Sequence, residues 1–143
     1  MRDAIGKVRG RTPFHVDVWV VLPDHMHCLW TLPEGDADFP GRWRAIKIAF
    51  SKSLSIDEPR SPVMTRRGER GIWQRRYWEY TIRDERDFAT HMDYTQFNPV
   101  KHGLVEHPAD WPHSSVRRCA AGGLYPTRWT GGSDEPHETG ERQ

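Results

Sequence analysis

The spacing of hydrophobic and polar residues predicts an alternation of helices and strands. Trp43, Ile46, Phe50 and Leu54 fall at i, i+3, i+7 and i+11, which makes one apolar stripe of a helix. Residues 14–22 are rich in β-branched and aromatic side chains, as strands are. The predicted elements, in chain order, are the last turns of a helix (3–9), a strand (14–22), a strand (25–32), a helix (41–54), a strand (72–82) and a helix (84–97).

The connections follow from turn and capping residues. Pro23-Asp24 is a turn sequence, so the first two strands are predicted to form a hairpin. Asp84 is a predicted N-cap of the last helix, and Pro99 is predicted to stop that helix because the residue before a proline is driven out of the helical region. We expect a loop at 55–71, a compact tail at 101–125 and disorder beyond Trp129.

This order of elements matches most of a ferredoxin-like α+β fold, an antiparallel sheet with helices on one face. The first strand of that fold, which lies centrally in the sheet, is missing. We expect a start set too far downstream or a truncated gene, with a strand supplied by a partner as a further alternative. Residues 1–129 are predicted to form one domain, followed by a disordered acidic tail at 130–143.

The charges are segregated although the net charge is only +1. Residues 42–76 contain ten Lys and Arg against three acidic residues, with aromatic side chains between them. Cations that hold phosphates beside rings that stack on bases are typical of single-strand nucleic-acid surfaces. A solvated basic face with ordinary core aromatics is the alternative.

The composition excludes some classes of protein. No run of eighteen apolar residues is present, and the first twelve residues lack the apolar stretch of a signal peptide. The two cysteines, Cys28 and Cys119, are too few for a disulfide framework. We therefore expect a cytoplasmic protein that is not embedded in a membrane.

Two short patterns suggest chemistry. Side chains alternate along a strand, so His25 and His27 are predicted to point to the same side, where two imidazoles can bind one divalent ion. Tyr94 and Asn98 are i, i+4 neighbours on one face of the last helix. Taken alone, the histidines are better explained as a surface pair or core residues, and a lone helical tyrosine as packing.

Four ordered blocks resemble the REP-associated tyrosine transposases, a group of the one-tyrosine HUH (His-hydrophobe-His) transposases. The resemblance runs from about Pro13 to Trp129. The blocks are Val20–Trp30 (VVLPDHMHCLW), Trp73–Tyr80 (WQRRYWEY) with the following Ile82–Asp84, Asp93–Val105 (DYTQFNPVKHGLV), and Asp110-Trp111 with Ser114-Ser115.

The resemblance implies a role for each matching residue. His25 and His27 match the family's histidine metal ligands, and Asn98 matches the polar third ligand one turn after the tyrosine. Tyr94 matches the nucleophile. The implied cofactor is Mg²⁺ or Mn²⁺, and the implied product is a 5′-phosphotyrosine link with a free 3′-hydroxyl.

The same resemblance implies a partner, single-stranded DNA with a hairpin beside the cleavage site. The protein is expected to be a monomer or a homodimer. The cations assigned to DNA contact are Arg42, Arg44, Lys47, Arg75, Arg76 and Lys101.

Three other functions stay open at this level. The chain could be a remnant that binds hairpin DNA without cutting it. It could hold a structural metal through His25, His27 and His91, although structural zinc sites normally use further Cys or His at close spacing. It could also be a replication or conjugation nuclease of the HUH type, although those are usually larger chains.

Overall fold

Two strands form an antiparallel hairpin in the computed structural model, which describes residues 1–131: β1 (His15–Val21) and β2 (Met26–Thr31). The register pairs Val20 with His27 and shifts between Val16 and Val18. Val16, Val18 and Val20 are buried while the residues between them are more exposed, as the period of two requires. The predicted hairpin is confirmed, and it fixes the register of His27.

The helices account for the remaining regular structure of the described residues. They are α1 (Arg2–Arg11), α2 (Phe39–Lys52), α3 (Pro62–Arg66), α4 (Glu85–Lys101), a 3₁₀ turn (Pro108–Asp110) and α5 (Val116–Ala121). Helices packed with an antiparallel strand pair confirm the predicted α+β class. The chain divides into two compact units, one of residues 1–14 and 32–78, the other of residues 15–31 and the chain from Glu79 onward.

In the first unit, α1 packs against α2 through its buried residues Ala4, Ile5 and Val8. The Asp38 side chain accepts a hydrogen bond from Gly41 N and so caps α2. Arg42, in the first turn of α2, is 3% exposed and reaches the chain segment just after α1. The unit therefore has a buried cation next to its small apolar core.

In the second unit, α4 packs against both strands of the hairpin. The edge of β1 opposite β2 is covered by the chain segment before α5, since Val21 N donates to His113 O at 2.8 Å and Ser115 N donates to Trp19 O at 2.9 Å. Trp111 Nε1 also donates to Val21 O at 2.9 Å. These bonds satisfy backbone groups along the edge of β1 that does not pair with β2.

The predicted strand at 72–82 is wrong, because residues 72–82 form bends and irregular structure and the sheet of the described residues has two strands. Aromatic rings hold this segment instead of a strand ladder. Within the first unit Trp73 contacts Trp43 and Phe50, and within the second Tyr80 stacks on His91.

Two further boundaries differ from the prediction. The expected loop 55–71 contains α3, which Ser61 caps through a bond from Met64 N. Helix α4 begins after the predicted cap Asp84, but it continues through Pro99 to Lys101. Proline fixes φ at a helical value and costs one backbone bond, and the complete burial of Asn98 and Pro99 keeps this turn in place.

The predicted disordered tail at 130–143 falls, from residue 132 on, outside the described residues. Within the described part of the chain, no helix has the length and apolar character needed to cross a membrane.

Candidate active site

His25 and His27, the two histidines of the Val20–Trp30 block, lie together at the start of β2. His27 is the second residue of β2, and His25 comes directly before the strand. Their ring centroids are 5.1 Å apart and the ring planes are almost perpendicular, at 88°. The spacing of two residues therefore places the two imidazoles beside each other, as the sequence predicts.

Helix α4 brings Tyr94 and Asn98 to the same region. The Tyr94 ring lies against His27, with 5.7 Å between centroids and an edge-to-face angle of 82°. Tyr94 is 8% exposed, and Asn98, one turn later, is completely buried. Helix α4 packs on β2, so a phenol, an amide and two imidazoles come from two adjacent elements.

Asp24 orients the first histidine. The Asp24 carboxylate lies 2.7 Å from His25 Nδ1, and this hydrogen bond is the main reason that the pKa of Asp24 is lowered from its ordinary value. A neutral His25 that donates from Nδ1 keeps the lone pair on Nε2. A carboxylate on the far ring nitrogen is the usual arrangement behind a histidine metal ligand.

Two residues at the end of α4 complete the site. Lys101 Nζ lies 3.2 Å from Tyr94 Oη and 4.7 Å from the centroid of the Tyr94 ring. The His102 ring lies 5.2 Å from that of His25. Sequence reasoning assigned Lys101 to DNA in general and missed this contact. The one feature of the sequence that could have revealed the contact is the spacing of seven residues from Tyr94, which is about two helical turns.

Two known proteins have closely related sequences. The REP-associated tyrosine transposase of Escherichia coli K12 is 47% identical over 131 residues, which is 92% of this chain and 72% of that protein. A Haemophilus influenzae protein named for the same family is 44% identical over 135 residues, covering 93% of this chain and 76% of the relative. The chain belongs to the REP-associated tyrosine transposases.

A solved structure that resembles this one comes from the same family. A solved REP-associated tyrosine transposase, bound to a REP hairpin, superimposes with a TM-score of 0.79 at 44% identity, covering 99% of this chain and 77% of that one. No family model matches the chain. Membership of this transposase family disfavours a replication or conjugation nuclease.

The alternative of a structural metal held by His25, His27 and His91 loses support from the surroundings of His91. His91 is buried on α4, stacks on Tyr80 at 4.7 Å between centroids, and lies with Nδ1 2.9 Å from Asp87 O. Residues 1–131 contain no group of three His, Cys, Asp or Glu side chains that could hold a metal ion. Any metal site built on His25 and His27 therefore needs a different kind of third donor, such as the Asn98 amide.

The cations assigned to DNA have different surroundings in this transposase. Arg44 and Arg76 are exposed, and Arg75 is paired with Glu69 at 2.9 Å. Lys47 is half-buried, with Nζ 5.6 Å from the Tyr77 ring, and burial lowers its pKa. These residues therefore carry positive charge but differ in how accessible they are to DNA.

Arg42 is bound within the fold. Its guanidinium pairs with Asp36 and donates to Pro13 O and Asp38 O, each at 3.0 Å. A 3% exposed arginine that bonds a carboxylate and two carbonyls supports the backbone around α2. The geometry therefore does not favour the DNA contact predicted for Arg42.

The aromatic residues among these cations and just after them also differ in exposure. Trp73 packs against both Trp43 and Phe50, whereas Tyr77 and Trp78 are 41% and 46% exposed. A cavity of about 250 Å³ beside Trp73 is lined in part by Lys47, Lys52 and Arg70. Exposed rings and cations coexist in this unit, as single-strand binding requires.

Proposed function

We propose that this transposase cuts and rejoins single-stranded DNA beside a hairpin, with Tyr94 as the nucleophile. The observation that supports it most is the placement of the Tyr94 ring against His27, with Lys101 Nζ 3.2 Å from its oxygen. A tyrosine that served packing alone would not need an ammonium group at its oxygen.

The donor set fits a divalent cation. We propose that His25, His27 and Asn98 hold Mg²⁺ or Mn²⁺, two neutral imidazoles and one amide oxygen leaving the ion its positive charge. When bound, such an ion polarises the scissile phosphate and offsets charge that develops on it. The Asp24 bond to His25 Nδ1, at 2.7 Å, supports a ligand role for the opposite ring nitrogen.

The proposed reaction is a phosphoryl transfer to tyrosine. Tyr94 Oη attacks the scissile phosphorus and loses its proton to solvent, while the bond from phosphorus to the 3′-oxygen breaks and that oxygen takes up a proton. The products are a 5′-phosphotyrosine link and a free 3′-hydroxyl. Because the link keeps the energy of the phosphodiester, the 3′-hydroxyl of another strand can reverse the reaction without ATP.

The DNA partner is proposed to be a folded hairpin with a single-stranded flank. The solved relative is bound to a REP hairpin, and this chain is 44% identical to it over the matched residues. We assign Arg44, Lys47, Arg75 and Arg76 to the phosphates, and the exposed Tyr77 and Trp78 to base stacking. Arg42 is left out of this interface because its guanidinium is buried.

The test is covalent capture of cleaved DNA. The purified chain is incubated with Mn²⁺ and labelled single-stranded hairpin DNA, and adducts that survive denaturant are measured on gels. We expect an adduct in the wild type and in the matched control Tyr80→Phe, and none in Tyr94→Phe. Hairpin binding without any adduct would contradict cleavage and favour a DNA-binding remnant.

A further inference from the structure

Lys101 and Tyr94 are arranged as a pair across two turns of α4. Seven residues at 3.6 per turn bring a side chain back to within about 20° of the same helix face. Lys101 Nζ is within hydrogen-bond distance of Tyr94 Oη, at 3.2 Å, and over the ring at 4.7 Å. Tyr94 is buried, whereas Lys101, the last residue of α4, is exposed. The ammonium group of an exposed residue therefore contacts the phenol oxygen of a buried one.

Two simpler effects explain why a lysine occurs at position 101, but they do not explain its contact with Tyr94. A lysine in the last turn of a helix is favoured by the helix dipole, and a lysine near DNA is favoured by phosphate charge. Neither effect requires Nζ to reach a tyrosine oxygen two turns back. The hydrogen bond to Oη is thus the observation that distinguishes Lys101 from an ordinary surface cation.

We propose that Lys101 is a catalytic residue that stabilises the charge on Tyr94 Oη as the phosphotyrosine bond forms and breaks. This inference rests on the proposed function, in which Tyr94 is the nucleophile. Lys101 stays an ammonium throughout and donates one N–H to Oη. The phenolic proton goes to solvent, the phosphorus–Oη bond forms, and the phosphorus–O3′ bond breaks as O3′ takes up a proton.

The same N–H acts in the rejoining direction. There Oη is the leaving group, so negative charge returns to it as an incoming 3′-oxygen attacks the phosphorus. A donor already placed at 3.2 Å needs little reorganisation when that charge develops. A catalytic Lys101 therefore predicts that cleavage and rejoining slow together, while a lysine that only holds DNA predicts weaker binding with an unchanged rate at saturation.

The experiment compares Lys101→Met, Lys101→Arg and the matched control Lys7→Met, which removes an exposed lysine from α1. Single-turnover rates of adduct formation are measured with Mn²⁺ at saturating hairpin DNA, and rejoining from the isolated adduct is timed separately. Dissociation constants for the hairpin are measured without metal. Thermal unfolding confirms that each variant is folded.

We expect Lys101→Met to slow both directions by about 100-fold, the size of effect found when one donor to a developing oxyanion is removed. Its hairpin dissociation constant should change by less than about tenfold, the effect of losing roughly one phosphate contact. Lys101→Arg, which keeps a charged N–H donor, should recover most of the rate, and Lys7→Met should match the wild type.

Two results would overturn the inference in distinguishable ways. If wild-type protein forms a Tyr94-dependent adduct and Lys101→Met forms it at the same saturated rate, Lys101 is not catalytic and the proposed function stands. If the folded wild type binds hairpin DNA but forms no adduct, the proposed function fails and the inference fails with it.

Discussion

A single carboxylate, that of Asp24, decides how His25 presents its ring. Its oxygen lies 2.7 Å from Nδ1, and a neutral imidazole that donates from Nδ1 to this carboxylate leaves Nε2 as the acceptor. The alternation of a strand predicts that His25 and His27 share a face, because alternation depends only on neighbouring residues. The ring orientation depends on a turn residue, Asp24, whose part was not predicted.

Asp24→Ala is therefore expected to weaken Mn²⁺ binding about tenfold, the size of effect seen when a partner behind a metal-binding histidine is lost. Titration calorimetry of the metal-free protein with Mn²⁺ measures this without any DNA. Asp17→Ala is the matched control, since Asp17 contacts His15 Nδ1 at 2.8 Å on the other strand. Equal Mn²⁺ affinity in the two variants would contradict a ligand-orienting role for Asp24.

At the scale of elements, α4 shows where local rules fail. The cap Asp84 was predicted because capping involves residues three apart, and its side chain does accept from Asp87 N at 2.9 Å. Pro99 was expected to stop the helix, but the buried Asn98 and Pro99 hold the chain helical to Lys101. Only with that extra turn do Asn98 and Lys101 keep helical spacing from Tyr94.

Helix α2 depends on an ion pair that the sequence could not assign. Arg42 was predicted to face DNA because it lies among other arginines, yet it pairs with Asp36 in the loop before the helix. The hydrogen bond from Arg42 lowers the pKa of Asp36 from 3.8 to about 2. Because the folded state ionises Asp36 more readily, the pair stabilises the fold above pH 4, and this contribution fades as the pH falls toward 2.

We expect Asp36→Asn to unfold at lower denaturant concentration than the wild type at pH 7, with a smaller difference at pH 2.5. Urea unfolding at both pH values measures this. Glu34→Gln, an exposed neighbour in the same loop, is the control. A difference from the wild type that is the same at both pH values would contradict the ion pair as its source.

At the scale of the whole molecule, the basic residues that are concentrated between positions 42 and 76 differ in how exposed they are in the folded protein. Of the cations predicted to bind DNA, Arg44 and Arg76 are exposed, while Arg75 has Glu69 as a partner and Arg42 is buried. Counting charges along the chain cannot make this distinction, because burial depends on which distant residues pack against each side chain.

The double variant Arg44→Gln/Arg76→Gln is expected to bind hairpin DNA more weakly and with less dependence on salt. Loss of two phosphate contacts should reduce the slope of log affinity against log salt concentration by roughly 1.5. Fluorescence anisotropy over a salt series gives the slope, with Lys7→Gln as the single-charge control. An unchanged slope would mean that the hairpin binds to residues other than Arg44 and Arg76.

The sequence alone determined the α+β class, the hairpin, the shared side of His25 and His27 and the helical spacing of Tyr94 and Asn98. Each of these follows from period and capping, which act between residues close in the chain. Tertiary structure alone decided that α4 passes through Pro99, that residues 72–82 form no strand, and that the segment around Ser115 covers the edge of β1. It also decided that Arg42 is buried and that His27 meets Tyr94, because these outcomes depend on burial and on hydrogen-bond partners far away in sequence.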